Sequence, residues 1–180
     1  MLVIKNKKLL KKARRIRWFG IDRLAKQGGT WENDIREVGY KYQMTDLGAA
    51  LLLESIKEFK KIDNCRKLIF DTYTKILRKN TNVTIVDSSD VKGHAHWLFT
   101  ILIDKKDLLQ KKLREKLIET NQVHFRNDRY SIFKKFIKNQ KFKNMDAVED
   151  KYLVLPIHTK MTVRDARYIA EQINKILPFV

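Results

Sequence analysis

Two short stretches bring together side chains that can hold an anion. In Gly39-Tyr40-Lys41-Tyr42-Gln43-Met44-Thr45-Asp46, aromatic rings and a cation crowd a loop that runs into a predicted helix. The start of a helix offers free backbone N–H groups and the positive end of its dipole, where an anion can sit with help from Lys41. In Val123-His124-Phe125-Arg126-Asn127-Asp128-Arg129-Tyr130, groups suited to sugar hydroxyls or phosphate alternate with aromatic rings. Each stretch is equally compatible with a satisfied turn on a basic surface. The four histidines are His94, His96, His124 and His158. His94 and His96 stand two apart beside a predicted strand, a spacing that lets both face one side and hold a metal. No carboxylate or cysteine stands nearby at ligand spacing, so a structural role is expected there and no metal. The chain has no Gly-x-Ser-x-Gly elbow, no Gly-rich phosphate loop and no His-Glu-x-x-His helix. No catalytic residue is assigned.

The elements that must position these stretches follow from hydrophobic period. Leu2 to Ile4 can form only the tail of a strand. Leu9, Ala13, Ile16 and Phe19 make one stripe of a helix over about 7–19, with Lys and Arg on the other face. Residues 20–42 read as an irregular connection. Thr45 is a good N-cap, and Asp46 places negative charge at the positive helix end. A long or bent helix is predicted from there to about Arg78, buried at its start and amphipathic later, with Asn80 and Asn82 ending it. The period then changes. Residues 83–86, 97–103 and 122–126 read as strands, and 106–119 as a helix burying Leu108, Leu109, Leu113 and Leu117. Residues 146–151 suggest a helical turn, and Tyr152 to Leu155 an apolar run that Pro156 stops. Thr162 with Asp165 resembles a capping box, opening a helix that buries Ala166, Ile169, Ile173 and Leu177. The fold class is α/β: a long helix, then an α+β lobe with a small, mostly antiparallel sheet flanked by helices.

Composition bounds the function classes. Of 180 residues, 39 are Lys or Arg and 21 Asp or Glu, for a net charge of +18. Six glycines and two prolines are far below the ~12% of average proteins, which excludes collagen-like and linker-like chains. An apolar share of 43% is too high for wholesale disorder. No apolar run approaches the ~18 residues of a membrane span, and the basic first twenty residues lack a signal-peptide core. A single cysteine, Cys65, makes neither an internal disulfide nor a zinc cage. A cytoplasmic chain is expected. Lys is spread throughout, with Ile and Asn abundant, the residue usage of an AT-rich genome. Most of the charge therefore reads as solvated surface, although no Asp or Glu precedes Asp22.

The stretch from Gly39 to Leu47, with Ala49-Ala50 behind it, resembles the Gly-Tyr-Asn-Tyr-Arg-Met-Thr-Asp signature of the DegT/StrS family of PLP-dependent aminotransferases acting on nucleotide-linked keto-sugars. The stretch Arg15 to Ile21, Arg-x-x-x-x-Gly-Ile, is similar to the family's Arg-to-Gly-Ile start, and Trp31 to its Trp before the signature. His96 to Phe99 and Leu155 to His158 resemble its His-x-x-Phe strand and closing Leu-Pro-x-His. Residues 126–130 and 144–161 resemble perosamine-synthase-like members in particular. The likeness runs in the right order over essentially the whole chain.

The resemblance implies the C-terminal part of a fold-type-I PLP-dependent transferase. Residues 1–44 would end the large PLP-binding domain, and 45–180 would form the long connecting helix and small C-terminal domain. It implies pyridoxal 5'-phosphate as cofactor, glutamate and a keto nucleotide sugar as substrates for surface-polysaccharide biosynthesis, and an active site at a homodimer interface. Lys41 stands where the family has an Asn on the cofactor phosphate, and holds charge without copying amide geometry. Gln43 replaces the usual Arg. His124 and Arg126 match positions near the sugar nucleotide, and Arg126 or Arg129 would meet its diphosphate. The family's Schiff-base Lys and the Asp on the pyridine nitrogen lie upstream of the matched stretch. No lysine here has the family's lysine context, so the chain alone is expected not to transaminate and to need a complementing N-terminal segment. The rival reading is a basic nucleic-acid-binding module with residues 5–17 as its contact helix. Against it, the aromatic-plus-basic sheet of a common RNA module is missing.

Overall fold

The structure, a computed structural model, describes residues 2–29, 34–35, 37–86, 93–138 and 140–179. The chain divides into two units, Met1–Lys57 and Glu58–Val180.

In the first unit, a 3-10 turn at Lys7–Leu9 leads into α1, Leu10–Arg17. Asn6 caps the turn by accepting the Lys8 amide at 3.0 Å. The single helix predicted over 7–19 stops early because Trp18 leaves helical dihedrals and Phe19 and Gly20 follow with φ of 54° and 80°. The predicted irregular connection contains a short α2, Arg23–Gln27, capped by Asp22 on the Ala25 amide. Residues 2–4 form no strand. The long helix α3 spans Asp46–Leu77, close to expectation. Thr45 caps it, its Oγ1 accepting the Gly48 amide at 3.1 Å. The expected buried start is not found: Leu47 is 73% and Leu51 64% exposed. Burial begins only at Ile69, where Ile69, Phe70, Tyr73 and Leu77 meet the core of the second unit.

That core is built on a three-stranded antiparallel sheet in the order β1 (Thr84–Ile85), β2 (Phe99–Leu102), β3 (Tyr152–Leu155). Phe99 pairs with Leu155 and Leu102 with Tyr152. The third predicted strand, 122–126, shrinks to one bridge between Asn121 and Val154, after which the chain turns away. α4, Lys106–Glu115, buries Leu109 and Leu113. It ends before Leu117, whose φ of 60° closes the helix and leaves that side chain exposed rather than buried. Leu108 is also partly exposed.

Two short helices follow, α5 (Lys134–Ile137) and α6 (Lys143–Val148), the latter starting three residues before the predicted turn. α7, Val163–Ile176, carries a complete capping box between Thr162 and Asp165. It buries Ala166, Ile169 and Ile173, and Leu177 is buried just beyond its end. The hydrogen bonds from Thr162 hold the Asp165 carboxyl below its usual range. Phe99 packs against Phe70 and Tyr73 at ring separations of 4.7 and 4.9 Å. Such aromatic pairs add ~0.5–1.5 kcal/mol each beyond area burial. The Tyr73 hydroxyl donates to the Pro156 carbonyl at 2.9 Å, and burial pushes its pKa up. Among the described residues, no helix is long and apolar enough to cross a membrane.

Candidate functional site

In the first unit the loop 39–42 lies along the end of α1. Tyr40 N donates to Ile16 O at 2.7 Å, Phe19 N to Tyr40 O at 3.1 Å and Tyr42 N to Arg17 O at 3.0 Å. Trp18 and Lys41 form an antiparallel bridge. Two glycines permit the crossing. A Cβ on Gly39 would lie 1.9 Å from the Gly20 nitrogen, and one on Gly20 would lie 2.5 Å from the Glu37 carbonyl. Both distances are far inside van der Waals contact, so any side chain forces the two backbones apart. Arg15, at the start of the Arg-x-x-x-x-Gly-Ile stretch, clamps the same junction. Its Nε and Nη2 both reach Glu37 Oε1 at 2.8 Å, and its carbonyl accepts the Gly20 amide. The spacing from Arg15 to Gly20 and on to Gly39 is thus the requirement of one backbone junction. Glu37 is the member that sequence reasoning missed.

Extended backbone sends alternate side chains to opposite sides. Tyr40 and Tyr42 stack on one side, with ring centroids 5.0 Å apart and planes 19° from parallel. Lys41 is exposed, with no ion-pair or hydrogen-bond partner among the described residues. Gln43 accepts from Arg23 Nη1 at 2.6 Å, so a guanidinium from α2 reaches the position where the side chain itself supplies only an amide. With the Gly48 amide taken by Thr45, the Asp46 and Leu47 N–H groups have no earlier carbonyl to bond within the helix. This loop can hold an anion. Trp31 lies outside the described residues.

In the second unit, His124 is exposed, its ring 5.8 Å from that of Trp97 and its carbonyl accepting from the Tyr152 hydroxyl. Arg126 is buried, at 5% exposure, inside a carboxylate clamp. Nε and Nη2 fork onto Asp128 at 2.9 and 2.6 Å, and Nη1 donates to Asp146 at 2.7 Å and Glu149 at 2.8 Å. Four of the five guanidinium N–H donors are engaged in these bonds. Arg129 is half exposed and donates to Glu149 at 2.8 Å. The bonds to Asp128 and Asp146 raise the Arg126 pKa. Arg126 holds the Asp128 carboxyl below its usual range, and Arg129, then Arg126, does the same for Glu149. The clamp joins the 3-10 turn Asn127–Arg129 to α6. Beside it lies a cavity of about 930 Å³ walled by aromatic rings such as Phe125, Phe133 and Tyr152, which His124 and Arg126 also line. Sequence reasoning missed Asp146 and Glu149, whose spacing of three, one helical turn apart, was the available signal.

His94 and His96 sit elsewhere in this unit. His96 Nδ1 lies 3.1 Å from Asp63 Oδ1, and both imidazoles pack edge-on against Phe70 at 5.4 Å. Among the described residues, no group of three or more His, Cys, Asp or Glu is placed to hold a metal.

Residues 1–174 match the model of the DegT/DnrJ/EryC1/StrS aminotransferase family. A UDP-4-amino-4,6-dideoxy-N-acetyl-beta-L-altrosamine transaminase of Campylobacter jejuni is 29% identical over 184 residues, covering 98% of this chain and 47% of that protein. A GDP-perosamine synthase of Escherichia coli O157:H7 is 26% identical, over 77% of this chain and 38% of its own length. The fold is that of part of the sugar aminotransferase CalS13 from Micromonospora echinospora, with a TM-score of 0.85 at 22% identity, covering 96% of this chain and 46% of that one. The chain spans about half the length of the curated relatives it matches. With the Arg15–Gly20–Gly39 junction accounted for and the match extending over nearly all 180 residues, the chain belongs to the DegT/DnrJ/EryC1/StrS aminotransferase family.

Proposed function

We propose that these residues form the C-terminal portion of a PLP-dependent, cytoplasmic sugar aminotransferase that moves an amino group from glutamate to a keto nucleotide sugar used in surface-polysaccharide biosynthesis. In this reading residues 1–44 end the large domain, and 45–180 carry the connecting helix and small domain. The observation that supports it most is the locked loop 39–46, which leaves Lys41 exposed four residues ahead of the Thr45 cap. The residues present fit one part of the cofactor, its phosphate: Lys41 supplies a point charge, and the Asp46 and Leu47 amides supply directed donors. When bound, PLP supplies the electron sink that amino-group transfer needs. Arg23, through Gln43, keeps the loop in place. His124 and Arg129 would face the sugar nucleotide, in a homodimer or with a complementing N-terminal chain, and Arg126 would position both through its clamp.

A nucleophilic lysine needs a site that favours its neutral form. Among the described residues the buried lysine is Lys106, and its Nζ donates to Gln122 Oε1 at 3.1 Å and to the Glu149 carbonyl at 3.0 Å. That ammonium is committed to structure. The phosphate assignment is tested by titrating the chain with PLP and with pyridoxal, which lacks the phosphate. Phosphate-dependent binding should weaken about tenfold in Lys41→Ala, the loss of one charge-assisted contact. Equal binding by the two proteins contradicts the assignment.

A further inference from the structure

The first unit holds a second constellation, most of whose cations the aminotransferase reading does not use. Lys7, Leu10, Lys11, Arg14, Arg17 and Trp18 recur at spacings of three and four, with Leu10–Lys11 and Arg17–Trp18 as adjacent pairs, and so fall on one face of the 3-10 turn and α1. They line a cavity of about 780 Å³ closed on its other side by α2 and the Ile21–Asp22 link. Six cations line this cavity, Arg15 and Arg23 completing the set, against one carboxylate, Asp22. Two of the six are anchored. Arg15 is clamped by Glu37, and Arg23 lies over the Trp18 ring at 5.2 Å while donating to Gln43. Lys11 reaches Asp22 only at 3.7 Å with its side chain exposed. Lys7, Arg14 and Arg17 have no carboxylate partner among the described residues. Like charges one turn apart on a helix repel, and here that repulsion is left uncompensated around a concavity of ligand size.

We propose that the α1–α2 cavity is an anion site for a small ligand carrying a chain of two or more phosphates. Several cations converging on one cavity match a compact multiply charged group. A nucleic-acid strand instead requires a charged groove that tracks its backbone. Arginines at 14 and 17 can each fork onto phosphate oxygens, and the fixed Arg15 and Arg23 give the pocket a preformed wall. The site lies wholly within the first unit and does not rest on the function proposed above.

Calorimetric titration of the full chain with orthophosphate, pyrophosphate and tripolyphosphate tests this, alongside a twelve-residue single-stranded oligonucleotide. One saturable site should strengthen from orthophosphate to tripolyphosphate. The double substitution Arg14→Gln, Arg17→Gln should weaken tripolyphosphate about tenfold or more, and Lys7→Gln by less. Lys112→Gln, on α4, should leave it unchanged. Absence of saturation overturns the proposal, as does an equal loss in Lys112→Gln, which marks diffuse charge. Tighter binding of the oligonucleotide than of tripolyphosphate overturns it in favour of a nucleic-acid surface.

Discussion

The loops at 39–46 and 123–130 have the same ingredients, aromatic rings around a cation, and opposite electrostatics. In the first, the backbone is fixed by two glycines and a clamped arginine, and the central cation, Lys41, faces solvent. In the second, the central cation is itself the fixing element: Arg126 is buried among Asp128, Asp146 and Glu149. A charge is available to a ligand only when some other group shapes its loop. Where the cation does the shaping, its donors are already used.

The largest effect should come from Arg126→Leu. It strands Asp128 and Asp146 beside an apolar side chain and leaves Glu149 with Arg129 alone, and removing one partner of a buried ionic cluster destabilises strongly. Thermal unfolding should show a greater fall in Tm than for Gly39→Ala, Asp128→Asn or Lys41→Ala, with Arg126→Lys recovering little because an ammonium cannot fork onto Asp128. Next is Gly39→Ala, expected to cost about 1–3 kcal/mol of local stability through overpacking at the glycine crossing. Hydrogen exchange at the Phe19 and Tyr40 amides reads it directly, since both bonds cross the junction.

A smaller effect concerns pH. Asp128 and Glu149 are held below their ordinary carboxylate values by Arg126 and Arg129. Their contribution is therefore complete only above the ordinary carboxylate range, from about pH 6 upward, and is lost as pH falls through that range and then through the lowered values. Denaturant melts from pH 6 downward should show this acid loss, and Asp128→Asn should blunt its slope while lowering stability at neutral pH. The smallest effect on stability belongs to Lys41→Ala, within about 0.5 kcal/mol for an exposed, unpaired side chain. A larger drop in Tm for Lys41→Ala than for Arg126→Leu would reverse the contrast between the loops.

Much of the fold was legible because its signals are local. The period of α3, the Thr162–Asp165 box and the β-branched and aromatic runs at β1 and β2 each specify their element without distant help, whereas Tyr152 to Leu155, which forms β3, reads only as an apolar run. The errors arose where tertiary context decides. Leu47 and Leu51 carry the pattern of a buried helix start and are exposed, and Leu117 continues the α4 stripe but itself takes the left-handed conformation that ends the helix. For residues 122–126, β propensity was overridden after a single bridge to Val154. In the candidate site, the motif spacings were legible and their causes were not. Gly20 and Gly39 meet across nineteen positions of sequence, and two of the three partners of Arg126, Asp146 in α6 and Glu149 at its end, stand twenty and twenty-three residues away. Contacts of that separation leave no periodic trace.

The central proposal is that these 180 residues supply the phosphate-side loop of a sugar aminotransferase but not the amine that would hold its cofactor covalently. The most direct test is borohydride reduction of the purified chain with PLP, followed by peptide mass mapping, in parallel with an amino-transfer assay using glutamate and a UDP-4-keto sugar. The account predicts only scattered, substoichiometric pyridoxyl labelling and no turnover. One stoichiometric pyridoxyl-lysine, or turnover by the chain alone, contradicts it.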